Sequence, residues 1–200
     1  MKIAEGIKNK GRPYKIHDAY RNDLPGFFKE MGYKVGVEIG ALRGEFTEKF
    51  CQVGLKMYAV DPWSYYKNYR RHPQEASMEE IYQEAKNRLA PYDCTLIKKT
   101  SMEALEDFED NSMDFVYIDG NHSIRYIVED IYEWYRKIKP GGVIAGHDYE
   151  LLMNHPYRLM VCHVKLAVDM MAGIYDVDYY VLGSNRGNRD KHRSWLFFKK

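Results

Sequence analysis

Val35-Gly36-Val37-Glu38-Ile39-Gly40-Ala41-Leu42-Arg43-Gly44-Glu45-Phe46-Thr47 is the stretch from which the fold can be read. An apolar, β-branched run climbs to Glu38, breaks at two glycines, and turns helical from Phe46. Strand, tight turn and helix in that order form the unit at which α/β proteins hold a nucleotide-like ligand. Gly40 and Gly44 let the backbone come close to a ligand where a Cβ would collide. Glycine spacing of this kind is common. Glu38, whose carboxylate belongs at the mouth of the turn, narrows the reading.

A dinucleotide's pyrophosphate would be repelled by that carboxylate. A ligand that presents a cation would be welcome, and S-adenosylmethionine does so through its ammonium group. Twenty-three residues beyond Glu38, Met57-Tyr58-Ala59-Val60-Asp61 is a second apolar strand ending in an acid. An acid on that tip can accept hydrogen bonds from ribose hydroxyls. Singly, a charged turn residue and a strand-stopping aspartate are ordinary. Together, Glu38, Gly40, Gly44 and Asp61 point to a nucleoside with a positive amino-acid tail.

The totals suit one globular domain: 200 residues, 45% hydrophobic and 30% charged. A net charge of +1 gives no long-range pull on nucleic acid or an anionic membrane. Cys51, Cys94 and Cys162 are far apart and form no CxxC pair, which reads as thiols in a reducing compartment. The lysine-bearing start lacks the apolar core of a signal peptide, and no run reaches membrane-spanning length. A cytoplasmic protein is expected, with no membrane partner.

Along the chain, residues 1–32 read as a loose basic arm followed by short helices, and 33–200 as a single domain. Phe46 to Val53 is the first crossover helix. The aromatic, basic, proline-bounded stretch 62–77 reads as a substrate lid or a surface loop with packed tyrosines. Met78 to Leu89 is a helix, Cys94 to Lys98 a third strand, and Ser101 and Met102 follow at its tip. Asp114 to Asp119 is a fourth strand, and a long helix carries Ile127, Ile131, Trp134, Tyr135 and Ile138 at spacings of three and four. Pro140-Gly141-Gly142 turns the chain into a fifth strand that delivers His147-Asp148-Tyr149. Asp176 to Leu182 and Ser194 to Phe198 are the last two strands. The expected architecture is α/β: a seven-stranded, mostly parallel sheet with helices on both faces and a C-terminal antiparallel hairpin.

With these residues in place the chain resembles class I S-adenosylmethionine-dependent methyltransferases, and more narrowly the small bacterial family related to macrolide-sugar O-methyltransferases. The likeness rests on Glu38-Ile39-Gly40 through Thr47, Val60-Asp61-Pro62-Trp63, Asp114 to Ser123, Lys139-Pro140-Gly141-Gly142 and Gly146-His147-Asp148-Tyr149. It spans roughly residues 33–200. It implies that Glu38, Gly40 and Asp61 belong to the cofactor site, with Ser101 and Met102 beside adenine. It also implies a divalent ion on Asp119 and Asp148, the former shared with the cofactor site, and a catalytic base at His122. His147 departs from relatives that carry a second acid there.

Carboxylate ligands suit Mg2+, Mn2+ or Ca2+, whereas an imidazole ligand would tilt towards a transition metal. A bound dication would lower the pKa of an acceptor hydroxyl, and His122 would take its proton. The expected reaction is O-methylation of a small hydroxylated molecule: a sugar, a natural product or a phenol. Nucleic acid is disfavoured as a partner, because Asp119-Gly120-Asn121-His122 stands where amino-methylating relatives carry Asp/Asn-Pro-Pro-Tyr. A protein acceptor and a non-catalytic S-adenosylmethionine-binding module are the remaining alternatives, and homo-oligomerisation is left open. His192 is expected to face solvent and His163 to be structural.

Overall fold

A computed structural model describes residues 2–64, 75–155, 158–183 and 192–200. The chain begins with a short helix, α1 (Lys2–Gly6), and a three-residue strand, β1 (Tyr14–Ile16), where the sequence suggested a loose arm. Ile3 is fully buried and Ile16 nearly so, and β1 adds to the edge of the main sheet. Ile3 and Ile16, with Ala4, Ile7 and Tyr14 packed beside them, thus tie down a largely polar segment through burial that composition does not reveal. A 3-10 turn (Arg21–Asp23) leads into α2 (Leu24–Glu30), with Pro25 in its first turn, where no N–H is needed.

The predicted alternation follows: β2 (Val35–Ile39), α3 (Glu45–Gln52), β3 (Lys56–Val60), α4 (Glu75–Leu89), β4 (Cys94–Ile97), α5 (Ser101–Ala104), β5 (Met113–Ile118), α6 (Ile124–Lys137) and β6 (Ile138–Gly146). A separate antiparallel hairpin, β7 (Leu152–His155) with β8 (Arg158–Val161), was not anticipated. Helix α7 (Val164–Ile174) and strands β9 (Tyr179–Leu182) and β10 (Ser194–Phe198) complete the described chain. The sheet order is β1-β9-β10-β6-β5-β2-β3-β4, with β10 antiparallel to both of its neighbours. Among the described residues this sheet has eight strands where seven were expected, and the addition is β1. The architecture is a mostly parallel, open α/β sheet with an antiparallel strand near one end.

Both faces of the sheet are covered. Phe27 and Phe28 of α2, Phe46 and Phe50 of α3, and Ile81, Ala85 and Leu89 of α4 bury one face. Ile127, Ile131 and Trp134 of α6 bury the other, with Val164, Val168 and Met171 of α7. The spacing of three and four in each helix sets that burial. Packing from both sides fixes the carboxyl ends of β2, β3, β5 and β6 along one edge, where such sheets hold ligands.

The three cysteines are free thiols. No helix among the described residues is long and apolar enough to cross a membrane. Most of the stretch read as a lid, 62–77, lies outside the described residues. Its start is not the polar surface the composition suggested. Trp63 is buried, rests on Tyr82 of α4, and donates its indole N–H to the Leu42 carbonyl at 2.7 Å.

Candidate functional site

The strand tips open into a cavity of about 600 Å³. Glu38, at the end of β2, lines it yet is only 2% exposed. The Thr47 hydroxyl of α3 donates to its carboxylate, and the Arg21 guanidinium stands 4.0 Å away. Burial outweighs both and pushes Glu38 up to about 8. Burial thus disfavours the charged form of the carboxyl expected to act as a fixed negative charge. Arg21 comes from the 3-10 turn, places its Cζ 4.0 Å from the centroid of the Phe46 ring, and donates to Asp119 Oδ2 at 2.7 Å.

Gly40 adopts φ +85°, and a Cβ there would collide with the carbonyl of Asp119. The glycine is needed where the tips of β2 and β5 touch, a reason the sequence did not disclose. Gly44, also left-handed, packs under Leu89 of α4 and does not line the cavity. Its service is to start α3. Asp61, at the tip of β3, is buried and accepts the backbone N–H groups of Leu42 at 3.1 Å and Trp63 at 2.8 Å. Two oxygens offer about four acceptor positions, so two backbone donors orient the carboxyl without saturating it. Burial still raises it above the ordinary aspartate value.

Thr100, Ser101 and Met102 line another part of the wall. Thr100 caps α5 in a reciprocal box with Glu103, which fixes where Ser101 and Met102 begin. The Trp134 indole donates to Ser101 Oγ at 2.7 Å. Asp130 of α6, which the sequence reading passed over, shares this wall.

Asp119, His122 and Asp148 converge, with one potential ligand atom of each within 4.8 Å of the others. His122 Nε2 lies 3.0 Å from Asp148 Oδ2 and 3.8 Å from Asp119 Oδ1. His122 is anchored from behind, where its carbonyl accepts the His163 N–H at 2.9 Å. His163 Nδ1 in turn accepts the Ile124 N–H at 3.1 Å, a structural role that joins the starts of α6 and α7. Burial would raise Asp119, but Arg21 and the neighbouring histidines overcome it and hold the carboxyl well below the usual range. Asp148 adopts φ +54°, a conformation that costs a non-glycine residue about 1 kcal/mol or more and that clusters at functional sites. His147 Nδ1 approaches Asp148 Oδ1 to 3.4 Å, and His192, expected in solvent, reaches within 3.9 Å of it. Among the described residues, His122 Nε2, His147 Nε2 and Asp148 Oδ1 are buried without an aligned hydrogen bond.

The fold thus gathers Glu38, Gly40, Asp61, Ser101, Met102, Asp119, His122 and Asp148 around one cavity and leaves Gly44 outside its walls. It adds Arg21, for which no local signal existed. It also adds Asp130, whose signal was legible as an acid on the apolar stripe of α6.

Residues 37–149 match a protein family described as "Methyltransferase domain". The chain is 32% identical over 125 residues to the uncharacterized protein y4gI of Sinorhizobium fredii, a match covering 58% of this chain. It spans only 13% of that relative's length. Among solved structures, it is similar to the O-methyltransferase from Bacillus cereus in complex with SAH, with a TM-score of 0.61 and 16% identity, over 92% of this chain and 83% of that one. It is likewise similar to the O-methyltransferase TomG from Streptomyces achromogenes, involved in tomaymycin synthesis and in complex with SAM. There the TM-score is 0.63 and the identity 14%, over 90% and 79% of the two chains. Identities this low establish a shared fold.

Proposed function

This chain belongs to the methyltransferase-domain family, and on that premise we propose that it transfers a methyl group from S-adenosylmethionine to a hydroxyl of a small molecule. The observation that carries this reading is the convergence of Glu38, Asp61, His122 and Asp148 on a single cavity. The donor's amino-acid tail has one cationic and one anionic group, and the cavity sets Glu38 and Arg21 side by side to meet them. Asp61 holds the ribose hydroxyls on its remaining acceptor positions, and Ser101 and Met102 flank the base. When bound, the donor supplies an electrophilic methyl on its sulfonium.

His122 accepts the proton of the acceptor hydroxyl, and the imidazolium so formed faces Asp148 at 3.0 Å and Asp119 at 3.8 Å. Arg21, paired with Asp119, keeps that acid ionised and in place. Holding donor and acceptor in one cavity aligns the reactants.

The residues also fit a divalent cation. Asp119 and Asp148 present two carboxylates beside the His122 imidazole, and Asp148 Oδ1 is buried without an aligned partner. A cation there would polarise the acceptor oxygen. Two carboxylates suit Mg2+, Mn2+ or Ca2+ and leave the His122 imidazole free to act as base.

The test is release of S-adenosylhomocysteine from purified protein given S-adenosylmethionine and a panel of sugars, phenols and hydroxylated natural products. Release above the acceptor-free rate supports the reading. Tight donor binding with no release across the panel favours a non-catalytic binding module, and release only with RNA, DNA or protein substrates redirects the acceptor class.

A further inference from the structure

His122 and Asp148, which face each other across 3.0 Å, are both tied to α7, although no residue of α7 lines the cavity. At the start of that helix the His163 N–H donates to the His122 carbonyl at 2.9 Å. In its middle, Asp169 Oδ1 accepts the Tyr149 hydroxyl at 2.6 Å and the Tyr179 hydroxyl at 2.6 Å. Hydrogen bonds this short to a carboxylate are among the strong ones. Lys165, one turn earlier, donates to Asp169 Oδ2. Burial would raise Asp169, but Lys165 and both hydroxyls overcome it and hold the carboxyl below its ordinary range. Tyr149 is 2% exposed and follows Asp148 directly in the chain. Its N–H donates to the Arg193 carbonyl at 2.9 Å, and the Asp148 carbonyl accepts the Cys162 thiol at 3.3 Å. Asp148 itself sits at φ +54°, a backbone state that persists only where its surroundings enforce it. Asp169 pins the far end of the side chain next to it.

We propose that Asp169 is a positioning residue: through the Tyr149 hydroxyl it holds Asp148 in its left-handed conformation, with the carboxylate turned to His122 and to a divalent cation. The inference rests on the cation site proposed above. Asp169 does not line the cavity, and its effect passes through Tyr149. Releasing that hydroxyl lets the backbone at Asp148 relax towards negative φ, which swings the carboxylate away from His122 Nε2. Partners that orient a metal ligand from behind are worth about 10- to 100-fold in metal affinity. Tyr179 supplies an internal control. It shares Asp169 Oδ1 and is equally buried, at 2%, but it belongs to β9 and is not a chain neighbour of Asp148. Were the carboxylate there only to satisfy two buried hydroxyls, removing either one would have the same effect.

The experiment is titration of the purified protein with Mn2+, the free ion being counted by its electron paramagnetic resonance signal. Wild type, Tyr149→Phe, Tyr179→Phe, Asp169→Ala and Asp169→Asn are compared. Asp148→Asn identifies the binding that belongs to this site, and thermal melts confirm folding. Tyr149→Phe and Asp169→Ala are expected to weaken Mn2+ binding about tenfold. Asp169→Asn keeps an oxygen that accepts both hydroxyls and recovers most of the loss. Tyr179→Phe binds Mn2+ as wild type does, and S-adenosylhomocysteine affinity is unchanged in all four variants. Tyr149→Phe removes one atom and keeps the ring packing, so it carries the test should Asp169→Ala not fold. A folded Tyr149→Phe that binds Mn2+ like wild type, or an equal loss in Tyr179→Phe, overturns this inference and leaves the cation site in place. Wild-type protein with no Mn2+ binding sensitive to Asp148→Asn overturns the cation site, and this inference with it.

Discussion

Arg21 Nη2 stands 2.7 Å from Asp119 Oδ2, so a turn near the start of the chain supplies the cation that holds an acid at the tip of β5. The same guanidinium lies 4.0 Å from Glu38 and over the Phe46 ring. The N-terminal segment is in this way part of the site's electrostatics.

Removing that cation should be felt in stability as well as in binding. Arg21→Ala leaves Asp119 partly buried without its partner, a loss of roughly 2 kcal/mol, between the values for exposed and fully buried pairs. Chemical denaturation measures it. A loss below about 0.5 kcal/mol would place the pair among ordinary surface contacts.

Asp61→Ala removes the acceptor for the ribose hydroxyls and weakens S-adenosylhomocysteine binding by about 1–3 kcal/mol, on the order of 5- to 150-fold. Calorimetry at constant pH reads this directly. Unchanged affinity would mean that Asp61 only organises Leu42 and Trp63.

Glu38 gives a signed pH dependence. Its ligand-free carboxyl is raised from 4.5 to about 8, chiefly by burial and despite Arg21 and Thr47, with Asp119 and Asp61 adding to the rise. The folded state then binds more protons than the unfolded chain between those values, so the Glu38 contribution lowers stability as pH rises from 4.5 through 8. An ammonium on the ligand requires the carboxylate. Donor binding should therefore tighten from pH 6 to 8 and release a proton, and titrations in buffers of different ionisation enthalpy will count it. Asp130 titrates nearby, so the comparison is with Glu38→Gln. If the variant releases as many protons as wild type, the ammonium does not meet Glu38.

His122→Ala should lower turnover by at least about a hundredfold while donor affinity stays within twofold of wild type. Near-normal turnover would place the base elsewhere.

Mn2+ should raise the thermal midpoint of wild type, and this rise should vanish in Asp148→Asn, which loses an anionic ligand from the cluster. Turnover that is the same after EDTA treatment as after Mn2+ loading would show that Arg21 and the histidines suffice without an ion.

Much of the fold could be read locally. The Val35–Ile39 run, the helical spacing of Phe46 with Phe50, and the acids that stop β3 and β5 needed no partner to be recognised. β1 escaped because three residues joining a sheet edge carry almost no periodicity, and their partner, β9, lies more than 160 residues away. Trp63 escaped because its polar, aromatic neighbours suggested surface, while its indole found the Leu42 carbonyl and the Tyr82 ring. Asp130 is legible as a polar residue in the apolar stripe of α6.

By itself the sequence determined the alternation of strands and helices, the turn after β2, and the acids carried to the strand tips, because these are set by residues close together in the chain. Only the tertiary structure decided that Glu38 is buried deeply enough to disfavour its charged form, that Gly40 serves the contact between β2 and β5, and that Arg21 meets Asp119 across 98 positions. Charge state and pairing depend on desolvation and distance, and both come into being when segments far apart in sequence pack together.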